Sequence, residues 1–174
     1  MSKFLIVIDM QNDFIDGALG TPEAVTIVPN VAEKIRSFKG DGIIFTLDTH
    51  GADYLDTAEG KGLPVPHCIR GTTGHSLPSA IDTLATRKGN KKIILKDAFG
   101  TFEWKNTDIR DGDDLEICGL CTDICIIANA VILRTMFPNS AIRADASCCA
   151  GVTPQKHLAA LEVMRSLQID VVND

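Results

Sequence analysis

The sequence predicts an α/β protein: a three-layer α/β/α sandwich around a mostly parallel, six-stranded, Rossmann-like sheet. Three observations lead there. Short apolar runs alternate with helical patterns from one end of the chain to the other. The runs are apolar throughout instead of alternating, which is the pattern of strands covered on both faces. Helical segments separate them, and such crossovers join parallel neighbours.

The elements follow in order. Phe4 to Asp9 reads as a buried strand and Pro29 to Phe38 as a helix. Gly42 to Asp48 is the second strand, Leu77 to Lys88 a helix, and Lys92 to Lys96 the third strand. Asp114 to Gly119 is the fourth, followed by a long apolar helix from Thr122 to about Met136. Ala141 to Ala144 is the fifth strand, Pro154 to Leu167 a helix, and Ile169 to Val172 a short closing strand. Thr49 to His75 is one long irregular stretch, and a loop of that length in a compact domain is usually functional or mobile. No repeat, low-complexity segment or linker interrupts residues 1–174, which read as a single domain.

A chain of 174 residues can bury roughly two-thirds of its unfolded surface, so the core needs no covalent or metal staple. The apolar share of 45% and charged share of 23% argue against disorder. No apolar run approaches the ~20 residues that cross a bilayer, and Phe4 to Ile8 is too short for a signal-peptide core. A cytoplasmic location without a membrane partner is expected. The net charge of −6, the lack of a basic run and the scarcity of aromatics disfavour nucleic acid. Six cysteines without an export signal read as reduced thiols. Cys118 and Cys121 have the spacing of a metal or redox pair, but no second pair follows at zinc-ribbon spacing.

Ligands of open parallel sheets bind beyond the carboxyl ends of the strands. There the sequence delivers Asp9, then Asp48 and His50, then Lys96, and then Gly119-Leu-Cys-Thr-Asp leading into a helix that begins near Cys125. Each alone has an ordinary reading: a turn carboxylate, a solvated lysine, a small apolar residue on a helix face. Together they suggest a nucleophile. A helix N-terminus and a lysine would stabilise a Cys125 thiolate, and an aspartate beside both could carry the proton.

Asp9-Met-Gln-Asn-Asp-Phe14 after the first strand, Lys96 after the third and Gly119 to Cys125 after the fourth resemble the isochorismatase-like cysteine hydrolases over nearly the whole chain. Asp48-Thr-His50 and Pro66-His67-Cys68 are similar to the metal-binding segments of its nicotinamidase/pyrazinamidase branch. The resemblance implies an isochorismatase-like hydrolase fold and a metal-assisted cysteine amidohydrolase that converts nicotinamide and water to nicotinate and ammonia through a thioester. It casts Asp9, Lys96 and Cys125 as the catalytic triad, and the backbone N–H groups of Cys121 and Cys125 as the oxyanion hole, with a cis peptide between Leu120 and Cys121. It gives Asp48, His50 and His67 as ligands of one divalent ion, zinc first and iron or manganese next, with Glu59 where some short nicotinamidases add a carboxylate. Phe14, Leu19 and Phe99 would line the substrate pocket, whereas Phe102 reads as core and His75 and His157 as surface. A small-molecule amide is the implied partner, and a homo-oligomer the implied assembly.

Two departures stand out. The segment from Glu59 to Pro66 lacks the aromatic many nicotinamidases carry before the second metal histidine, and Cys121 puts a second thiol beside the nucleophile, with which it could form a disulfide. Two other readings stay open: a metal-independent amidase acting on an N-carbamoyl compound or ureidoacrylate, and a non-catalytic binding protein on the same fold.

Overall fold

The computed structural model describes residues 1–89 and 91–174. Its strands are β1 (Lys3–Ile8), β2 (Gly42–Asp48), β3 (Lys91–Lys96), β4 (Asp114–Leu120), β5 (Ala141–Ala150) and β6 (Asp170–Val172). Its helices are α1 (Asn12–Ile15), α2 (Pro22–Ser37), α3 (Ala58–Gly62), α4 (Ser79–Lys88), α5 (Ile127–Met136) and α6 (Pro154–Ser166). One sheet runs in the order β3-β2-β1-β4-β5-β6, with every neighbouring pair parallel.

The order explains where a site can form. The chain builds outward from β1 to β2 and β3, then returns to lay β4 on the other side of β1. Helix α2 packs with α4, and α5 with α6, as expected when right-handed crossovers run in opposite directions from a central strand. The connections leaving β1 and β4 therefore diverge and open a crevice at their carboxyl ends. Gly119 brings the two strands together there. Its φ is 126°, and a Cβ would lie 2.0 Å from the carbonyl oxygen of Ile8, so no other residue fits without moving the backbone.

Burial follows the sequence at the centre of the sheet and departs from it at the edge. Phe4 to Ile8 and all of β2 are buried. On the edge strand β3, Ile93 and Leu95 are each 43% exposed, so one of its faces is not covered. Helix α2 begins at Pro22, not Pro29. Thr21 Oγ1 accepts a hydrogen bond from Ala24 N at 3.0 Å, Pro22 occupies the first turn and Glu23 adds a carboxylate there. Pro29 lies inside the helix, whose buried face is carried by Ala24, Ile27, Val31 and Ile35. Strand β5 runs on to Ala150, past the expected end at Ala144, because Asp145 finds partners in Lys34 and Ser147. The stretch from Thr49 to His75 is not wholly irregular: it holds a 3₁₀ turn at Tyr54–Asp56, helix α3 and a bridge between His50 and Ile69. Among the described residues no helix is long and apolar enough to cross a membrane.

Candidate active site and metal cluster

The carboxyl ends of β1, β2, β3 and β4 bring four side chains into contact. Lys96, 4% exposed, closes β3, and its Nζ stands 2.7 Å from Asp9 Oδ2. The same ammonium donates to Asp48 Oδ1 at 3.2 Å and to the Ala98 carbonyl at 3.0 Å, and lies 3.5 Å from Cys125 Sγ. Asp9 leaves β1 with φ 46°, a conformation that short polar side chains tolerate. Thr46 Oγ1, from β2, donates to Asp9 Oδ1 at 2.6 Å and fixes the carboxylate on its other side. Cys125 is the fourth residue of a π-helical turn, Thr122–Ile126, that runs into α5. The helical segment thus starts at Thr122, where the apolar pattern places it, and Cys125 lies within its first turn. The Leu120–Cys121 peptide ahead of the turn is cis.

The electrostatics bear on the thiolate expected at Cys125. Burial pushes the Cys125 thiol well above the usual range, and the Asp9 carboxylate pushes it further, outweighing the pull of Lys96. Burial and the Asp9 charge thus favour the protonated form of the Cys125 thiol. Burial likewise raises the Asp9 carboxyl, with Lys96 opposing and Asp48 assisting, which makes Asp9 a stronger base than an ordinary aspartate. For Lys96, burial would lower the ammonium, but Asp9, Cys125 and Asp48 hold it above its normal value and keep it charged.

A second cluster shares Asp48. One ligand atom each from Asp48, His50 and His67 lies within 4.8 Å of the others. Asp48 Oδ2 is 2.9 Å from His50 Nε2 and 3.5 Å from His67 Nε2. Glu59 Oε1 stands 3.8 Å and 3.7 Å from the same two nitrogens. The Nδ1 of His67 is 2.8 Å from the Val65 carbonyl, and an N–H donated there leaves the Nε2 lone pair facing the cluster. Two imidazoles and two carboxylates suit a divalent transition ion, and leave coordination positions open.

With this geometry in hand, the family is decided by one match: the Isochorismatase domain model covers residues 3–173. The chain belongs to the isochorismatase family. The Mycobacterium tuberculosis nicotinamidase/pyrazinamidase is 27% identical to it over 187 aligned residues that cover 98% of each chain. The crystal structure of the Bacillus subtilis nicotinamidase/pyrazinamidase has a TM-score of 0.85 at 29% identity, over 98% of this chain and 99% of that one. A Pyrococcus horikoshii pyrazinamidase in complex with zinc has a TM-score of 0.78 at 30% identity, over 99% of each chain. An Arabidopsis thaliana relative, 30% identical over 95% of this chain and 89% of its own, bears the name "Probable inactive nicotinamidase".

In this isochorismatase-family chain the first motif does more than supply Asp9. Gln11 brackets the backbone of Asp48, donating from Nε2 to Asp48 O at 2.8 Å and accepting from Asp48 N at 2.7 Å. Asp13 Oδ2 accepts from the Cys68 N–H at 2.7 Å, next to His67. Tyr54, 1% exposed, sets its ring edge-on to His50 and His67 with centroids 4.7 Å and 5.0 Å away, and donates from its hydroxyl to Leu63 O at 2.9 Å. Gly60 lets α3 lie against Tyr54, since a Cβ there would meet the Tyr54 carbonyl at 2.0 Å, and this brings the neighbouring Glu59 to the cluster. Sequence reasoning missed Thr46, Gln11 and Tyr54 as supports. Only Gln11 had a signal, its place inside the Asp9 to Phe14 motif.

A small cavity of about 50 Å³ adjoins both clusters. Phe14, Leu19, Leu63, Phe99 and Ile124 give it an apolar lining, and Asp48, Glu59, His67, Cys121 and Cys125 complete it. Leu63 therefore occupies the wall in the segment that lacks an aromatic. Phe102 is 68% exposed, not core. It heads a 3₁₀ turn that sends Trp104 inward in its place. His75 and His157 are half-buried rather than surface residues: His75 Nε2 is 2.9 Å from Thr49 Oγ1, and His157 Nδ1 is 2.8 Å from Thr122 Oγ1. All six cysteines are free, and burial pushes the Cys121 thiol up to about 12.

Proposed function

We propose that this chain is an amide hydrolase of the nicotinamidase type, with Cys125 as nucleophile, Asp9 as proton carrier and Lys96 as the cation between them. The carrying observation is the position of Lys96 Nζ, within 3.5 Å of Asp9, Asp48 and Cys125, the last two of which line an apolar cavity. The Cys125 sulfur attacks the carboxamide carbon as its proton passes to Asp9, whose raised basicity suits that transfer. Asp9 then returns the proton to nitrogen, the C–N bond breaks, ammonia leaves and a thioester remains. Water adds to the thioester with Asp9 again taking its proton, which frees the acid and restores the thiol. The backbone N–H groups of Cys121 and Cys125 would receive the developing oxyanion.

Asp48, His50, His67 and Glu59 would hold a divalent ion, with zinc favoured by the donor set. When bound, the ion supplies a Lewis-acidic anchor for the ring nitrogen of a pyridine carboxamide. The chain's own part is to keep the ring among Phe14, Leu19, Leu63 and Phe99 with its carboxamide toward Cys125.

Ammonia release from nicotinamide, pyrazinamide and N-carbamoyl compounds, measured alongside metal content by atomic emission, tests this reading. Nicotinamide turnover that collapses with metal in His50→Ala supports it. Unchanged nicotinamide kinetics in a metal-free His50→Ala would overturn it in favour of a metal-independent amidase. A wild type with no ammonia release from any of these amides would favour a binding protein.

A further inference from the structure

Helix α5 carries a polar residue where its neighbours are apolar. Asn129 is fully buried, and a buried carboxamide is costly unless each of its groups is paired. All four hydrogen-bonding positions of Asn129 are used. Its Nδ2 donates to the carbonyl of Cys125 at 2.8 Å and to that of Phe99 at 3.1 Å. Its Oδ1 accepts from Thr101 N at 3.1 Å and from Trp104 Nε1 at 3.2 Å. One side therefore holds the backbone of the nucleophile. The other holds the segment after Lys96, which carries the pocket-wall residue Phe99 and itself receives Lys96 Nζ at Ala98 O.

We infer that Asn129 is a positioning residue, which fixes the helical turn of Cys125 against the Phe99–Trp104 segment and so sets the nucleophile relative to the wall that orients the substrate. The inference rests on the amide-hydrolase reading for its kinetic consequences but not for its geometry. Without Asn129 the two backbone segments share no polar tie at this point, and displacements of about 1 Å at a reacting centre cost up to a hundredfold in rate.

Two variants separate positioning from mere packing. Asn129→Asp keeps acceptors for Thr101 and Trp104 but gives up the amide donors to the two carbonyls, and kcat for nicotinamide should fall by about tenfold or more. Asn129→Thr can still donate to the Cys125 carbonyl four residues back but lets go of the loop. Its KM should rise at least about threefold while kcat stays within about threefold of wild type. Folded variants with wild-type kcat and KM, altered only in melting temperature, would overturn the inference.

A wild-type measurement covers the case in which neither variant folds, and the case in which nicotinamide is not the substrate. Trp104 is the only tryptophan in the chain, so its emission reports on this network alone. Carboxamidomethylation of Cys125 by iodoacetamide should shift that emission, with Cys125→Ala treated identically as the control. An emission spectrum that stays unchanged after Cys125 is fully modified means that the two segments are not coupled, and the inference fails whatever the enzyme hydrolyses.

Discussion

Asp48 and Lys96 face each other across the ends of β2 and β3, and the Lys96 ammonium donates to Asp48 Oδ1 at 3.2 Å. The second oxygen of that carboxylate belongs to the histidine cluster, 2.9 Å from His50 Nε2. Since Lys96 also pairs with Asp9 at 2.7 Å, one buried cation holds two buried carboxylates, of which Asp48 alone reaches the cavity. Burial would raise the Asp48 carboxyl, yet His67, Lys96 and His50 together hold it below its ordinary range, so it stays charged beside either partner.

Lys96→Met should therefore remove more than turnover. It leaves Asp9 and Asp48 buried without their cation, a change that costs about 3–5 kcal/mol when a buried pair is broken from one side. Adding Asp9→Asn should recover part of that loss, because the second charge is then absent as well. Urea denaturation of metal-free wild type, single variant and double variant reads both effects. Wild-type stability in Lys96→Met, or no recovery in the double variant, would mean that Lys96 is not the shared counterion.

How far the sequence could see depends on what kind of interaction sets each feature. The central strands were legible because they are uniformly apolar; β2 matches its expected span from Gly42 to Asp48. Side chains at strand ends were legible too, since a parallel sheet collects them along one rim, and Asp9, Asp48, Lys96 and Cys125 do meet there. The start of α2 was in the sequence but passed over: Thr21-Pro22-Glu23 carries a cap, a first-turn proline and an acidic first turn, whereas Pro29 drew attention as a helix start. Asn129, Thr46 and Tyr54 could not be found this way. Thr46 reaches Asp9 37 residues away, and Asn129 reaches Phe99, Thr101 and Trp104 25 to 30 residues away, and no local pattern records a tertiary hydrogen bond. The upward pull on the Cys125 thiol is hidden from the sequence for a related reason. A helix start and a lysine are visible in sequence, but the degree of burial that outweighs them is not.

The raised ionisation of the Cys125 thiol has a testable consequence that separates reactivity from turnover. Iodoacetamide at neutral pH should modify Cys125 before Cys118, because Cys125 lines the cavity while Cys118 is fully buried. With its ionisation raised, Cys125 should nevertheless react more slowly than a free thiol. Asp9 raises the thiol and Lys96 lowers it, so Asp9→Asn should speed alkylation while abolishing ammonia release. The pH profile follows from the same signs. Asp9 must be deprotonated to accept the proton, and its ionisation is raised, so the acid limb of kcat/KM should lie above the pH at which an ordinary aspartate titrates. Peptide mapping with Cys118 labelled first, or slower alkylation in Asp9→Asn, would contradict this assignment.

Away from the cavity, Lys34 of α2 ties that helix to the sheet. Its Nζ pairs with Glu116 on β4 and lies 2.5 Å from Asp145 Oδ2 on β5. Asp145 Oδ1 also accepts from the Ser147 hydroxyl at 2.7 Å. Burial would raise the Asp145 carboxyl, but the bonds from Lys34 and Ser147 outweigh it, and the group titrates below its ordinary range. A carboxyl depressed in the folded state contributes stability above its unfolded pKa of about 3.9, and that contribution is lost as pH falls through the folded value. Lys34→Met keeps the apolar stem and removes the charge. At pH 7 it should cost roughly 1–3 kcal/mol, between the values for exposed and fully buried pairs, since Lys34 retains some contact with solvent. The gap between variant and wild type should narrow as pH falls below about 4, because protonating Asp145 removes in the wild type what the mutation has already removed. Urea denaturation at pH 7 and pH 3 measures the gap directly. An equal gap at both values would show that the cost of Lys34→Met does not come from losing the pair with Asp145.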